Sequence, residues 1–427
     1  MKYMRLRLDC GSMQKQRKAL CHCKLHLFKF APLGAGMEII MEYRILGRTN
    51  VKVSEIGMGT EHLLDKDEQT VIGTIKSALS GGVTYFDCHP GHDKDDNSIH
   101  YGGYDKLGKA LELADDREGL CLTYLAGVSL SPADTQPRFE SFLKSMKLDY
   151  IDVFILQFCD KASEYSAILA EGGLLDYAKS LKSQGRIKYI GFSTHSSGIA
   201  FQAIASGDID VLMYPVNPAF DVVIDEDKYK SDKLETLWDA ASDYSAGDKT
   251  GAQPRKSVYA ECQREGVGLV AMKPFAGGFI FGVEEAAGFT PVNLISYVLS
   301  QNGVSTVVPG CTCPREIEEI LEYYNLPPEA LDYSGAVAKS RWSVMENCLY
   351  CNHCLPCGAG INIAEVNRLL DAYEASKSNV DSAGLIEKYN ALAVKASACI
   401  ECGVCEERCP FRVKVIGRMG KAVCIFE

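Results

Sequence analysis

Residues 151–193 read IDVFILQFCDKASEYSAILAEGGLLDYAKSLKSQGRIKYIGFS, and this stretch decides the fold. Asp152–Phe158 is a short apolar run of strand length, rich in Val, Ile and Phe. Leu174–Gln184 spaces its apolar residues as an amphipathic helix does, and Ile187–Ser193 is a second strand-like run. Strand, helix and strand in strict alternation favour a parallel sheet.

The unit recurs on both sides. Upstream, Ile56–Gly59 reads as a strand and Asp67–Ser80 as a helix, with Val71, Ile75, Ala78 and Leu79 on one face. Val83–Asp87 and Leu120–Tyr124 read as strands, and Pro137–Met146 as a helix. Downstream come helix Ile199–Ser206, strand Val211–Tyr214, a polar insert at about 221–253, helix Arg255–Glu265, strand Gly268–Lys273, helix Pro291–Gln301, strand Thr306–Val308 and helix Arg315–Tyr324. Eight such units predict an α/β protein, a closed (β/α)8 TIM barrel, over residues 41–326. No G-x-G-x-x-G follows the first strand, which argues against a Rossmann fold. In a barrel the chemistry sits at the strand C-terminal ends, here Asp87, Tyr124, Gln157, Ser193, Asn217, Lys273 and Gly310.

The C-terminal part is of another kind. Cys348, Cys351, Cys354 and Cys357 form one run, and Cys399, Cys402, Cys405 and Cys409 a second that ends in Pro410. The second has the C-x2-C-x2-C-x3-C-P spacing that holds [4Fe–4S] cubanes, whose fourth cysteine usually reaches the other cluster of a pair. The expected sets are Cys348, Cys351, Cys354 and Cys409 on one cluster, and Cys399, Cys402, Cys405 and Cys357 on the other. A zinc ribbon would use two C-x2-C pairs and leave four cysteines over. A disulfide framework suits small secreted domains rather than a 427-residue chain with 18 cysteines. A single cluster with spare cysteines is the remaining alternative, since Gly358 stands where the first run would end in proline. Residues 327–345 read as a linker and 346–427 as a ferredoxin-like iron–sulfur domain. The helical patterns at Ile363–Tyr373 and Ala383–Ala398 suggest an α-helical ferredoxin.

Composition sets outer bounds. Apolar residues make up 47% and charged residues 24%, ordinary for a globular protein. A net charge of −11 argues against nucleic acid as a partner, and no apolar run approaches a membrane span. Reduced thiols and iron–sulfur runs point to a cytoplasmic protein. Residues 1–40 do not match the rest: Lys2, Arg5, Arg7, Lys15, Arg17, Lys18, Lys24 and Lys29 face a lone Asp9. They read as an upstream extension or a misassigned start, with Cys21, His22 and Cys23 together by chance.

Read in order, YRILGRTNVKVSEIGMGT (43–60), GGVTYFDC (81–88), DYIDVFILQ (149–157), SQGRIKYIGFSTHS (183–196), VGLVAMKPFAGG (267–278) and TVVPG (306–310) resemble the aldo/keto reductase family, here fused to a ferredoxin-type domain with two [4Fe–4S] clusters. The resemblance implies a carbonyl-reducing tetrad of Asp, Tyr, Lys and His around a nicotinamide, NADP(H) or NAD(H). Asp87 matches the Asp. The Tyr falls in a lengthened loop, with Tyr101 or Tyr104 as counterpart. The Lys is missing, with Tyr124 near its place, and Gln157 stands where the His is expected. A phenol starts near a pKa of about 10, and a neighbouring Lys⁺ brings it toward working pH. Without the Lys, ordinary carbonyl reduction is in doubt. Gln157 is able to orient an oxygen but not to shuttle a proton.

His89 or His92 is then a candidate general acid. His89, His92 and His100, with Asp87, Asp93, Asp95 and Asp96, form either a metal-binding set or a solvated loop, and the loop is the favoured reading. For the nicotinamide the resemblance implies Ser193, Asn217, Lys273, Pro309 and Gly310. Cys88 and Cys159 read as packing cysteines. The expectation is an iron–sulfur oxidoreductase acting on a small organic substrate and exchanging electrons with a protein partner. Two alternatives stay open: a non-enzymatic electron carrier or redox sensor with a degenerate barrel, and an ordinary reductase with structural clusters.

Overall fold

The computed structural model describes residues 40–427 apart from 90–103, 115, 223–253, 283–287, 341, 343–345 and 376–381. Residues 1–39, the core of the polar insert, and Tyr101, His92, His100, Asp93, Asp95 and Asp96 therefore lie outside the described residues.

A two-stranded antiparallel hairpin, β1 (Tyr43–Ile45) and β2 (Lys52–Ser54), comes first. Eight parallel strands follow in sequential neighbour order: β3 (Met58–Gly59), β4 (Tyr85–Asp87), β5 (Cys121–Gly127), β6 (Ile151–Gln157), β7 (Ile187–Ser193), β8 (Val211–Pro215), β9 (Gly268–Met272) and β10 (Val304–Val308). Parallel bridges Ile56↔Val307 and Gly59↔Gly310 bring the last strand back to the first, so the sheet closes. This is the expected eight-stranded barrel with helices between its strands.

Alternation along each strand sorts side chains into two cores. Tyr85, Cys121, Leu125, Val153, Ile155, Val211, Met213, Val270 and Val308 fill the barrel, and Leu46 and Val53 of the hairpin region plug its lower end. The larger core lies between strands and helices. A β-carbon on Gly47 would sit 2.3 Å from the Gly268 nitrogen, and its φ of +53° also requires glycine, so the plug seats directly on the start of β9.

Several boundaries moved for local reasons. Helix Pro132–Met146 begins five residues before the expected Pro137, because Ser131 caps it and Pro132 takes the first turn. Helix Ala162–Leu169 lies in the β6–β7 connection where none was read. β5 runs to Gly127 rather than ending at Tyr124. The expected linker carries two short helices, Pro328–Leu331 and Ser334–Lys339, and buries Tyr333, Val337 and Trp342.

Residues 39–427 form one compact unit. Helix Ile363–Ala375 packs between helices Pro254–Glu265 and Val415–Phe426. The seam is polar as well as apolar: Arg368 donates to the Ser300 carbonyl (3.0 Å), and Tyr333 donates to the Leu349 carbonyl. Among the described residues, no helix is long and apolar enough to cross a membrane.

Candidate functional site

Asp87 ends β4 and is buried at the barrel's C-terminal mouth. Thr123, pointing inward from β5, donates to Asp87 Oδ1 (3.0 Å) and accepts from the Cys88 N–H (3.1 Å), which fixes the carboxyl. Thr60 reaches the carbonyls of Asp87 and His89 at 3.1 and 3.2 Å and fixes the backbone beside it. Burial pushes the Asp87 carboxyl up to about 7; Thr123 and Lys273 pull it down and Glu61 pushes it further up. A buried carboxyl near neutrality is poised to hold or release a proton at working pH.

His89 is also buried, and Gln157 at the end of β6 places its Nε2 2.8 Å from His89 Nε2. The structure thus brings together Asp87, His89, Gln157 and Lys273 from three strand ends and the loops after them, those of β4, β6 and β9. Gln157 Oε1 is buried without a hydrogen-bond partner among the described residues, so the pair leaves an acceptor for something not yet bound.

Other expected residues are placed elsewhere. Tyr124 lies mid-strand and points outward, packed on Phe139, Phe142 and Phe154 at 5.0, 4.9 and 5.4 Å; the strand's alternation gives Thr123 the inward position instead. Tyr104 opens helix Tyr104–Leu111 in the outer core, its hydroxyl donating to the Cys88 carbonyl (3.3 Å) and its ring edge-on to Phe142. Asn217 donates to the Lys273 carbonyl and caps the short helix Pro218–Asp221, so both ends of its amide hold the mouth together. The Pro309 carbonyl accepts from Gly59, and Gly310 bridges to Gly59, which closes the barrel. Ser193 is buried at the end of β7, and Lys273 follows β9 with a left-handed φ of 54°. Cys88 and Cys159 are buried, and burial pushes each thiol up to about 12, as inert packing cysteines require.

Sequence reasoning missed Thr123, Asp160 and His195. The first is found by counting inward positions from Cys121. His195, two residues past β7, and Asp160, three past β6, are strand-end residues that the motif comparison passed over.

The cysteines gather at the other end of the compact unit's chain. Cys357 of the first run lines one pocket with Cys399, Cys402 and Cys405 of the second, together with Cys354. Cys409 goes the other way. Burial pushes the Cys354 thiol up to about 12, and neighbouring Cys348, Cys351 and Cys409 push it in the same direction. Burial likewise takes Cys351 to about 11, with Cys409 adding to it. The Val413 N–H donates to Cys409 Sγ at 3.4 Å.

The two runs also turn alike. Tyr350 and Asn352 have φ of 57° and 66°, and Glu401 and Gly403 have 55° and 77°. In each run the left-handed residues stand two after the first cysteine and one after the second. Three of the four are not glycine, so the loops hold this path against its intrinsic cost. Among the described residues, no group of three or more histidine, cysteine or carboxylate side chains stands ready for a metal ion.

Residues 55–228 match the profile of the Aldo/keto reductase family. This segment is an aldo/keto reductase family domain, and it holds β3 to β8 with Asp87, Gln157 and Ser193. Among curated proteins, the chain is 25% identical over 189 residues to L-galactose dehydrogenase of Arabidopsis thaliana, covering 40% of this chain and 56% of that protein. It is 22% identical over 186 residues to NADH-specific methylglyoxal reductase of Escherichia coli (strain K12), covering 39% and 56%. The chain thus spans little more than half the length of these relatives. Among solved structures, it is similar to an aldo-keto reductase of Bacillus halodurans in its holo form, with a TM-score of 0.49, 18% identity and coverage of 72% of this chain and 98% of that one.

Proposed function

We propose that the protein is an iron–sulfur oxidoreductase. Its aldo/keto reductase-like barrel would carry out redox chemistry on a small organic substrate with NADP(H) or NAD(H), and its C-terminal part would hold two [4Fe–4S] clusters. The observation that carries this reading is the exchange of fourth cysteines. Cys357 joins Cys399, Cys402 and Cys405 around one pocket, while Cys409 sits with Cys351 and Cys354. That exchange is the spacing rule for paired cubanes, and a zinc ribbon has no use for it. Like backbone turns in the two runs support two like groups. A cubane is wider than a single ion, so its thiolates stand around a space rather than converge on a point.

Bound clusters would supply single-electron transfer and a nicotinamide would supply or take a hydride. The chain's own residues handle the proton and the fit. Asp87, near 7, holds a proton that is exchangeable at working pH, and Thr123 keeps its carboxyl in one rotamer. Gln157 leaves its Oε1 as an anchor for a substrate donor while its amide engages His89. Lys273 supplies a positive charge that acts on Asp87, in the role for which the family's missing Lys would be expected. An external electron-transfer protein completes the route, with the exposed Cys402 marking the cluster edge open to it.

Anaerobic purification followed by iron analysis and EPR tests the reading. Two interacting reduced clusters are expected after dithionite. Bleaching by NADPH or NADH alone would add that the barrel binds nicotinamide and is wired to the clusters. A protein that binds zinc and no iron under these conditions sinks the proposal.

A further inference from the structure

We propose that His195, held by Asp160, is the proton acceptor of the barrel mouth, and that the substrate taken there presents a hydroxyl group. Asp160 stands just past β6 and His195 just past β7, both at the C-terminal end of the barrel. Asp160 Oδ1 accepts from the His195 N–H (2.6 Å) and from the Thr194 hydroxyl (3.0 Å), which leaves Oδ2 for His195 Nδ1 at 2.8 Å. A carboxylate only accepts, so Nδ1 carries the proton and Nε2 keeps a bare lone pair. His195 is 1% exposed, and Nε2 has no hydrogen-bond partner among the described residues. Buried acceptors are normally paired, so an orphaned one that an aspartate has oriented is built for a donor from outside.

A second observation points the same way. Phe158 stacks on the imidazole, with centroids 5.6 Å apart and planes at 27°. It does so with a φ of 64°, an unfavourable conformation for a bulky residue, and it remains 39% exposed. Strain of this kind collects at functional sites.

The charges facing the ring decide its state. Burial holds the His195 imidazole below its ordinary range; Asp160 opposes this, while Lys273 and Arg255 add to it. Asp160 is held below the usual carboxylate range, because its hydrogen bonds from His195 and Thr194 outweigh the effect of burial. The ring is therefore a neutral base at neutral pH. The step it performs is local: the substrate O–H bond breaks, its electron pair stays on oxygen, and the proton goes to Nε2. Asp160 then steadies the imidazolium, and Lys273, which acts on both His195 and Asp87, offsets the charge on the oxygen. A resident base rather than a resident acid makes an alcohol the ground-state ligand. This deepens the oxidoreductase reading of the same mouth and rests on it.

Histidine-selective ¹⁵N NMR of the full holoprotein tests the assignment, with His195→Gln identifying the resonance. The bare Nε2 signal is expected at neutral pH, moving when glycerol is added as a hydroxyl probe and staying still with propanone, which has no donor. Asp160→Asn should weaken the glycerol response about tenfold. Should that variant not fold, the wild-type signals decide alone. A protonated Nε2 at neutral pH, or an equal response or none to the two probes, overturns the proposal. EPR on the same sample separates this outcome from the other: missing clusters with a responsive Nε2 would remove the iron–sulfur reading and leave the base in place.

Discussion

At the barrel mouth, three reactive side chains are each steadied by another side chain: Asp87 by Thr123, His89 by Gln157, His195 by Asp160. Around the cysteines the thiols are only half-buried for the most part, Cys402 is exposed, and the loops between them repeatedly take left-handed conformations. The mouth rests on a closed sheet with two apolar cores, so it is formed before any ligand arrives. The cysteine loops wrap a space, and under the iron–sulfur proposal their stability depends on what fills it. Under the iron–sulfur proposal, one protein holds one site by packing and the other by ligation, and the two should fail differently.

The largest expected effect follows from the exchanged cysteines. Cys357→Ala should perturb the same cluster as Cys402→Ala, and Cys409→Ala the same cluster as Cys351→Ala, although each pair is split between the runs. About half the bound iron should be lost in each variant, because each removes a ligand from one of the two proposed clusters, whose binding is coupled to the folding of its own loops. The far-ultraviolet signal of the barrel should persist. EPR and iron content are the measurements. If Cys357→Ala instead matched Cys351→Ala, the clusters would follow the runs and the shared pocket would be incidental.

Asp87 offers the reverse case, where removing a group should stabilise. Its carboxyl titrates near 7 in the folded chain against an ordinary value near 3.8. The folded state therefore binds the proton more tightly, and stability is lost as pH rises from about 4 through 7. Asp87→Asn should recover up to roughly 4 kcal/mol at pH 8 and nothing at pH 4, while turnover falls by about 10²-fold or more. Thermal melts at the two pH values read this directly, and equal melting temperatures at pH 8 would mean that the carboxyl carries no burial penalty.

Asp221 joins the regions. It is buried, and it accepts from Tyr259 at Oδ1 and from Tyr297 at Oδ2 (2.5 and 2.7 Å), while Tyr297 packs edge-on to Tyr333 above the first cysteine run. Asp221→Ala leaves the buried Tyr297 hydroxyl without this acceptor and Tyr259 with only the Pro215 carbonyl at 3.4 Å, and should cost about 3 kcal/mol. Barrel and C-terminal signals should melt together at a lower temperature; separate transitions would show that the regions fold independently.

How much of this was legible in the sequence depends on the range of the interaction. Strict β/α alternation was readable because periodicity is local, and β7 was read at its observed limits, Ile187–Ser193. The proposed cysteine sets rest on a spacing rule that already encodes a contact between runs. Tyr124 was misplaced because motif comparison tracks position along the chain, whereas the inward face is set by alternation counted from Cys121. The Asp160–His195 pair was invisible for another reason: its members lie 35 residues apart, on different strand ends, and only closure of the sheet makes them neighbours. The order within the expected linker was hidden because Tyr333 and Trp342 look like isolated aromatics in the sequence, whereas in the fold Tyr333 packs on Tyr297 and Trp342 on Phe289.

The smallest effect is the most diagnostic for the seam. Tyr333 donates to the Leu349 carbonyl, shares a hydrogen bond with Ser300 Oγ (2.9 Å) and packs edge-on to Tyr297 at 5.3 Å. Tyr333→Phe keeps the ring contact and removes both hydrogen bonds, leaving one buried carbonyl beside Cys348 unsatisfied. A net cost of about 1 kcal/mol follows. If the C-terminal part were a tethered module, this change would alter nothing beyond residue 333. Because the carbonyl belongs to the cysteine run and the hydroxyl to the barrel's flank, the loss should instead speed amide exchange in residues 346–375 and leave β5 to β7 protected. Hydrogen-exchange mass spectrometry resolves the two segments in one experiment. Unchanged exchange in 346–375 would place the cysteine loops outside the barrel's packing and make ligation their sole support.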